Sequence, residues 1–452
     1  MQRGLNGWLA CGLALGAALV ATVSSGQDYK PTLPAAHEAI GYWDTTPREP
    51  VSRLIQGIAA GATRFTPVSD ASALLPQLLT ALDIPLDSQM LVFSKTSFQA
   101  ARISPDVPRG IYFRDDVAVA FVPGAPSLEV TAVDPVLGSV FYEMRVGPDG
   151  APQVERSPVC LRCHAGPNTA GVPGPYIGSV IPGPTGRPVR GDSAIITDHR
   201  TPFEDRWGGW YVTARRGEQP DRANAVASNP VAPEQLVREA QQNLPSLIGR
   251  VDLRAYPAMT SDIVALMTFE HQTQATNLLT RVGWEARMLG TDVGAEPRTD
   301  ARMARDAQMS DGAGPGRSGL EAALTADIED LVAYLLFEDE APLVEPIEGT
   351  SSFTRTFPER GPRDTQGRSL RDFDLTRRLF RYPLSYMIYS PQFDALPEAA
   401  KARVYRRLHD VLTGGDRGSR YAHLTPADRR AILEIVRATK ADLPAYWRHD
   451  RQ

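Results

Sequence analysis

Two of the three cysteines in this chain of 452 residues stand in one short stretch, Val159-Cys160-Leu161-Arg162-Cys163-His164-Ala165-Gly166. Two thiols separated by two residues, with an imidazole directly after the second, form the pattern of c-type haem attachment. Each sulfur can bond one vinyl group of a single porphyrin, and the adjacent histidine is placed to supply an axial nitrogen to iron. Three other chemistries use a cysteine pair. A thioredoxin-like dithiol opens a helix after a strand, but Gly166, Pro167, Gly171, Pro173 and Pro175 oppose a stable helix here. A structural zinc site needs four ligands, and there is no second cysteine pair or close histidine pair. A plain disulfide leaves His164 without a role. Haem c is therefore the expected cofactor, one per chain, on Cys160, Cys163 and His164.

The identity of the second axial ligand decides whether such an iron passes electrons or binds a small molecule. No methionine occurs between Met144 and Met259, so a nearby methionine cannot supply it. His199, in Thr197-Asp198-His199-Arg200, is the candidate distal ligand, and His271 is the alternative. His271 shares one face of a helical pattern with Met267, Ala275, Leu278 and Val282. Met267 and an open coordination position are the remaining options. His409, His423 and His449 sit among charges and read as surface groups. Trp207 and Trp210 follow His199 and suit a porphyrin edge. Arg162, Arg187, Arg190 and Arg206 are the arginines close enough in sequence to meet haem propionates, with Arg190 carried forward as a cofactor-binding residue.

The motif VCLRCHAG and the segments TDHRTPFEDRWGGWYV and PLSYMIYSPQFDALPEAAKARVYRRL together resemble uncharacterised bacterial periplasmic proteins that carry a single cytochrome c haem motif. That resemblance implies haem and iron binding and electron transfer, with Cys160, Cys163 and His164 as the matching positions. It implies no substrate, and an electron-transfer protein is expected over a catalyst with a substrate of its own. A haem sensor of redox state or gas, and a peroxidase or oxygenase, are the alternatives.

Which elements must hold this motif follows from the hydrophobic pattern. Residues 47–63 and 69–82 read as helices, with Pro76 a possible kink in the second. From residue 90 the period becomes two: LVFS, GIYFR, VAVAFVPG, LEVTAVDP and SVFYEMRV are β-branched and aromatic runs bounded by Pro, Gly and Asp, as an antiparallel sheet requires. The haem motif falls just after it, in an extended loop. Strand-like runs follow at 193–197 and 209–215. From residue 232 the chain reads as helical, with a long amphipathic helix over 261–288 capped at Ser261-Asp262. A low-complexity break covers 311–319, helix resumes over 320–337, and a Pro-rich connection spans 341–363. Two helices close the chain, at 397–413 and 425–440. The expected class is α+β: an antiparallel-sheet, haem-bearing domain (26–230), then a helical region (231–340) and a helical C-terminal region (341–452).

Residues 1–25 read as a secretory signal peptide: Arg3, an apolar run from Trp8 to Val23, then Ser24 and Ser25. A periplasmic or otherwise exported location follows, the compartment in which bacteria attach haem to such motifs. Cleavage leaves no stable membrane insertion. A net charge of −5 with no long basic run argues against nucleic acid as a partner. The expected partner is a redox protein.

Overall fold

A computed structural model describes residues 30–189, 194–227, 243–291 and 316–448. The fold is α+β, built on a seven-stranded antiparallel sheet with a mostly helical C-terminal region. Two helices come first, α1 (Pro50–Ala59) and α2 (Ala71–Ala81). The strands are β1 (Met90–Val92), β2 (Arg109–Arg114), β3 (Val117–Phe121), β4 (Ser127–Asp134), β5 (Gly138–Val146) and β6 (Pro152–Arg156), with β9 (Trp210–Tyr211) returning to the far edge. Their order is β6-β5-β4-β3-β2-β1-β9. A small pair, β7 (Ile177–Ser179) and β8 (Ile195–Thr197), lies apart.

Alternation along each strand sends side chains to opposite faces. One face, with Tyr112, Val119, Val130, Val140 and Met144, joins Leu74, Leu75 and Leu78 of α2 in one apolar cluster. The other face, with Ile111, Phe113 and Ala120, belongs to a second cluster shared with the central helix α4 (Ile263–Thr291). Each fully buried Val, Leu, Ile or Phe in these layers contributes about 1.5–3 kcal/mol. The second cluster continues through α5 (Arg317–Leu335), α6 (Phe353–Glu359), α7 (Pro391–Asp394), α8 (Glu398–Leu412) and α9 (Pro426–Thr439) to Trp447, so all three sequence segments share it.

Several sequence expectations change. β6 has Glu and Arg in place of apolar alternation, and pairing with β5 rather than burial makes it a strand. Helix α4 is buried on nearly every side, not amphipathic. Its polar side chains find specific partners: Gln272 donates to Arg114 O at 3.1 Å and accepts from Tyr386 Oη at 2.8 Å. Its cap is as expected, with Asp262 Oδ1 accepting from Val264 N at 2.8 Å. The run at 209–215 is a strand only over Trp210–Tyr211, because Thr213 and Arg215 bridge to Asp262 and Glu348 instead. Helix α6 interrupts the Pro-rich connection, and α5 begins at Arg317, inside the expected break. Residues 232–242, expected to be helical, lie outside the described residues, and 243–248 form no helix. Among the described residues no helix is long and apolar enough to cross a membrane.

Candidate functional site

The sheet delivers the cysteine motif. After β6 the ladder runs one residue further, with Ser157 N donating to Phe141 O at 2.8 Å. Pro158 then opens a 3-10 turn over Pro158–Cys160, and Leu161–His164 forms a single helical turn, α3. The motif is thus a short helical turn and not the extended loop its glycines and prolines suggested. Those residues act after it: Ala165 pairs with Pro173, and the intervening loop folds back on the turn. Inside that loop Gly171 N donates to Gly166 O at 2.8 Å and Thr169 Oγ1 to Val172 O at 2.6 Å.

On this turn both thiols are free, Cys160 half-buried and Cys163 exposed. Burial raises the Cys160 pKa, with Ser157 opposing it, so the sulfur is held as a neutral thiol. The His164 ring lies between Phe141 and Tyr176, with centroids 5.0 and 5.1 Å away. Its Nδ1 is 3.0 Å from Gly174 O. A carbonyl can only accept, so Nδ1 carries the proton and Nε2 carries the lone pair. Nε2 makes no hydrogen bond to any described residue. Burial lowers the ring's pKa, outweighing the Gly174 bond that raises it, so the imidazole is neutral at pH 7. Two reduced thiols and a neutral imidazole with a fixed tautomer and an unshared Nε2 form the donor set that a covalently attached haem requires. Among the described residues no group of three or more His, Cys, Asp or Glu is placed to hold a bare metal ion.

The two distal candidates are brought together, but with each other. His199 Nδ1 lies 2.9 Å from His271 Nδ1, and His271 Nε2 lies 2.6 Å from Ser385 Oγ. The pair is sealed: His199 is 2 % and His271 0 % exposed, walled by Tyr334, Phe337 and Phe380. One Nδ1 must donate and the other accept, so both rings cannot be imidazolium. Burial pushes His271 down to about 3, and His199 falls well below its ordinary value through burial and the charges of His271, Arg200 and Arg206. His199 Nε2 is buried and makes no hydrogen bond of ordinary length. Met267 lies in the same core, at 4 % exposure. The ring neighbours of this pair and those of His164 have no member in common.

The other expected cofactor contacts are also structural. Trp207 is buried and donates from Nε1 to Glu270 Oε1 at 3.0 Å, while Trp210 donates to Gly178 O at 2.8 Å. Trp207 sits at φ +66°, a left-handed conformation costly for a bulky residue. It is held there by that bond and by Gly208, where any Cβ would overlap Val180 O. Arg206 is buried, donating to Thr201 O at 2.7 Å and His199 O at 2.8 Å and facing Glu270 at 3.4 Å. Burial raises Glu270 to about 7 against the pull of Arg206, Thr197 and Trp207. Arg162 and Arg187 are exposed, and Arg190 lies outside the described residues, as do residues 1–29 and His449. His409 is buried against Tyr446 and Trp447 rather than on the surface, whereas His423 is exposed, with Nε2 2.8 Å from Leu336 O.

Sequence reasoning missed the groups that flank the motif. Phe141 and Tyr176 were invisible as its neighbours because strand pairing and the fold-back of the loop bring them in. Arg109 acts on both Cys160 and His164, together with Glu129, its partner in an ion pair of 2.5 Å. Arg109 Nε and Glu129 Oε1 are buried without hydrogen-bond partners, so this pair has capacity left for a polar ligand beside the motif. No signal in the linear sequence marks Arg109, since it opens a strand among other arginines. No protein-family model, curated protein or solved structure matches this chain.

Proposed function

We propose that this is an exported protein carrying one covalent haem c, used to pass single electrons to or from a redox partner protein. The observation that supports it is the state of His164: neutral, with Nδ1 committed to Gly174 O and Nε2 unshared, one residue beyond a free thiol. Bound there, the haem supplies an iron that exchanges one electron. Cys160 and Cys163 would hold it through thioether bonds, in which each S–H would add across a vinyl group with the sulfur on one carbon and the proton on the other, so that no oxidant would be consumed. His164 would offer Nε2 to the iron, and Gly174 O, bonded to Nδ1, fixes the ring's rotation and tautomer. Phe141 and Tyr176 limit water at the ring. Arg109, with its unpartnered Nε, takes the propionate role that the sequence assigned to Arg190 and its neighbours.

The export signal read in residues 1–25 agrees with attachment outside the cytoplasm. The test is an absorption spectrum, a pyridine haemochrome assay and an intact mass of protein matured in a haem-attaching host. A mass increased by one haem is expected. The bare polypeptide mass with a colourless assay ends the proposal.

One observation favours a second reading, in which the iron binds a small ligand. His199 and His271 use their facing nitrogens on each other, and Met267 is enclosed with them. Carbon monoxide separates the two: rapid binding to the ferrous protein selects ligand binding, and refusal selects electron transfer with both axial positions filled.

A further inference from the structure

We infer that Asn277, on the buried central helix, is a positioning residue for His164, acting through the Gly174–Pro175 peptide; this rests on the haem reading above. His164 and Gly174 are joined twice. Gly174 N donates to His164 O at 2.8 Å, and His164 Nδ1 donates back to Gly174 O at 3.0 Å. The next carbonyl, Pro175 O, accepts from Asn277 Nδ2 at 2.9 Å. Asn277 also packs directly on Gly174, because a Cβ at position 174 would overlap Asn277 Oδ1 and come within 2.7 Å of its Cγ. The group that fixes the imidazole is therefore a backbone carbonyl, and the peptide that carries it is held in place by an amide side chain on α4.

Two features make this more than ordinary packing. Asn277 is 1 % exposed and its Oδ1 is buried without a partner, an arrangement that is costly relative to a satisfied group. An apolar residue would fill the same place without that cost but would leave Pro175 O unheld. Four residues along the same helix, Arg281 Nη1 donates to Ala170 O at 3.0 Å and to Pro31 O at 2.8 Å. Residues four apart on a helix share a face. The loop that folds back on the haem motif is thus pinned by α4 at both of its halves, and the pin nearer to His164 is Asn277.

A hydrogen bond from Nδ1–H to a well-placed carbonyl makes an imidazole a stronger donor and favours ferric iron. Asn277→Ala lets the Gly174–Pro175 peptide drift and weakens that bond. The ferrous-to-ferric ratio at a fixed potential should rise about tenfold, which is about 59 mV for a one-electron couple. In the haem-free protein, ¹⁵N chemical shifts of the His164 ring should move from the Nδ1–H tautomer towards a mixture. Gly174→Ala should produce the same two changes in the native background and little further change in Asn277→Ala, because the three heavy atoms nearest the added Cβ all belong to Asn277.

Unchanged potential and unchanged ring nitrogen shifts in a folded Asn277→Ala protein overturn the assignment. So does additivity of the two substitutions. Should Asn277→Ala fail to fold, Gly174→Ala carries the same two readouts alone. A colourless pyridine haemochrome assay in the wild type removes the haem reading, while the nitrogen shifts still decide whether Asn277 positions His164.

Discussion

The protein holds its histidines in two opposite ways. His164 stands on one helical turn at the end of the sheet, with one ring nitrogen fixed by a backbone carbonyl and the other unshared, beside two free thiols. His199 and His271 face each other inside the core, with Ser385 beyond and aromatic rings around them. Burial makes all three rings neutral, so protonation does not separate the two places. What separates them is whether an unshared ring nitrogen can be reached. At His164 it is available to an incoming group. In the buried pair the facing nitrogens join β8's following turn to α4 and, through Ser385, to the 3-10 turn at Tyr386–Tyr389, and the remaining nitrogen, His199 Nε2, is sealed in the core where no incoming group can reach it. The first arrangement has reactivity to offer, the second holds elements together.

The largest effect tests the first half of that contrast. Replacing Cys160 and Cys163 together by alanine should abolish covalent haem, read as a lost pyridine haemochrome signal. The apoprotein's unfolding free energy should change by less than about 1 kcal/mol, since one thiol is exposed and the other half-buried. His164→Ala should likewise leave the fold intact and displace the Soret band by removing the iron ligand. Loss of covalent haem in a folded His271 variant, with retention in the cysteine variant, would break the comparison outright.

Next in size is the structural half. His271→Leu leaves His199 Nδ1 and Ser385 Oγ facing an apolar side chain in the core. Each buried polar group left unmatched costs about 1–3 kcal/mol, so a loss of about 2–6 kcal/mol is expected in denaturant unfolding. Haem content of the molecules that fold should be unaffected. A stability unchanged by this substitution would mean that the histidine pair holds nothing together.

The two places were unequally legible in the sequence. Cys160, Cys163 and His164 stood out as a group because two thiols and an imidazole fall within five positions, and the structure places all three on one short helical stretch. The strands from β1 to β5 were legible through their period-two alternation. β6 was not, because its Glu and Arg side chains lie at a sheet edge where pairing, not burial, defines the strand. His199 was singled out for its closeness to the motif and to two tryptophans, and His271 for its place on an apolar helix face. Spacing could not reveal that the partner of each was the other, since that contact spans 72 positions and is made only when α4 packs beside β8. Trp207 and Trp210 were read as porphyrin neighbours because flat rings near a haem motif invite it, but long-range packing placed them in the core.

Acid sharpens the contrast further. A histidine whose folded pKa is depressed binds its proton more readily when unfolded, so its contribution is complete above the unfolded value of 6.5 and is lost as pH falls towards the folded one. For His271 that window runs from 6.5 down to about 3. Each pH unit inside it removes about 1.4 kcal/mol per neutral imidazole. Glu270 and Glu340, both raised to about 7 by burial, act in the opposite sense and partly mask the loss. The difference between wild type and His271→Asn isolates the histidine: the wild type's advantage should shrink as pH falls from 6.5 to 4. An advantage constant over that range would show that His271 is charged in the folded protein.

The smallest expected effect concerns Trp210. Its ring lies in the cluster shared by the sheet and α4, at 3 % exposure, and its Nε1 donates to Gly178 O at 2.8 Å. Trp210→Phe keeps an aromatic ring in that place but removes the donor, leaving Gly178 O to find water or nothing. A loss of about 1–2 kcal/mol in unfolding free energy follows from the missing hydrogen bond. Gly178 belongs to β7, which starts directly after Tyr176, the ring that flanks His164. The substitution therefore asks whether the wall of the haem motif depends on the core behind it. Packing by Phe141 and the Gly174 bond hold His164 independently of Trp210, so the Soret maximum and the reduction potential should stay where they are. A shift in either, at a stability cost this small, would mean that Trp210 reaches the porphyrin after all, and that the core and the motif are not separate in the way the two sets of histidines imply.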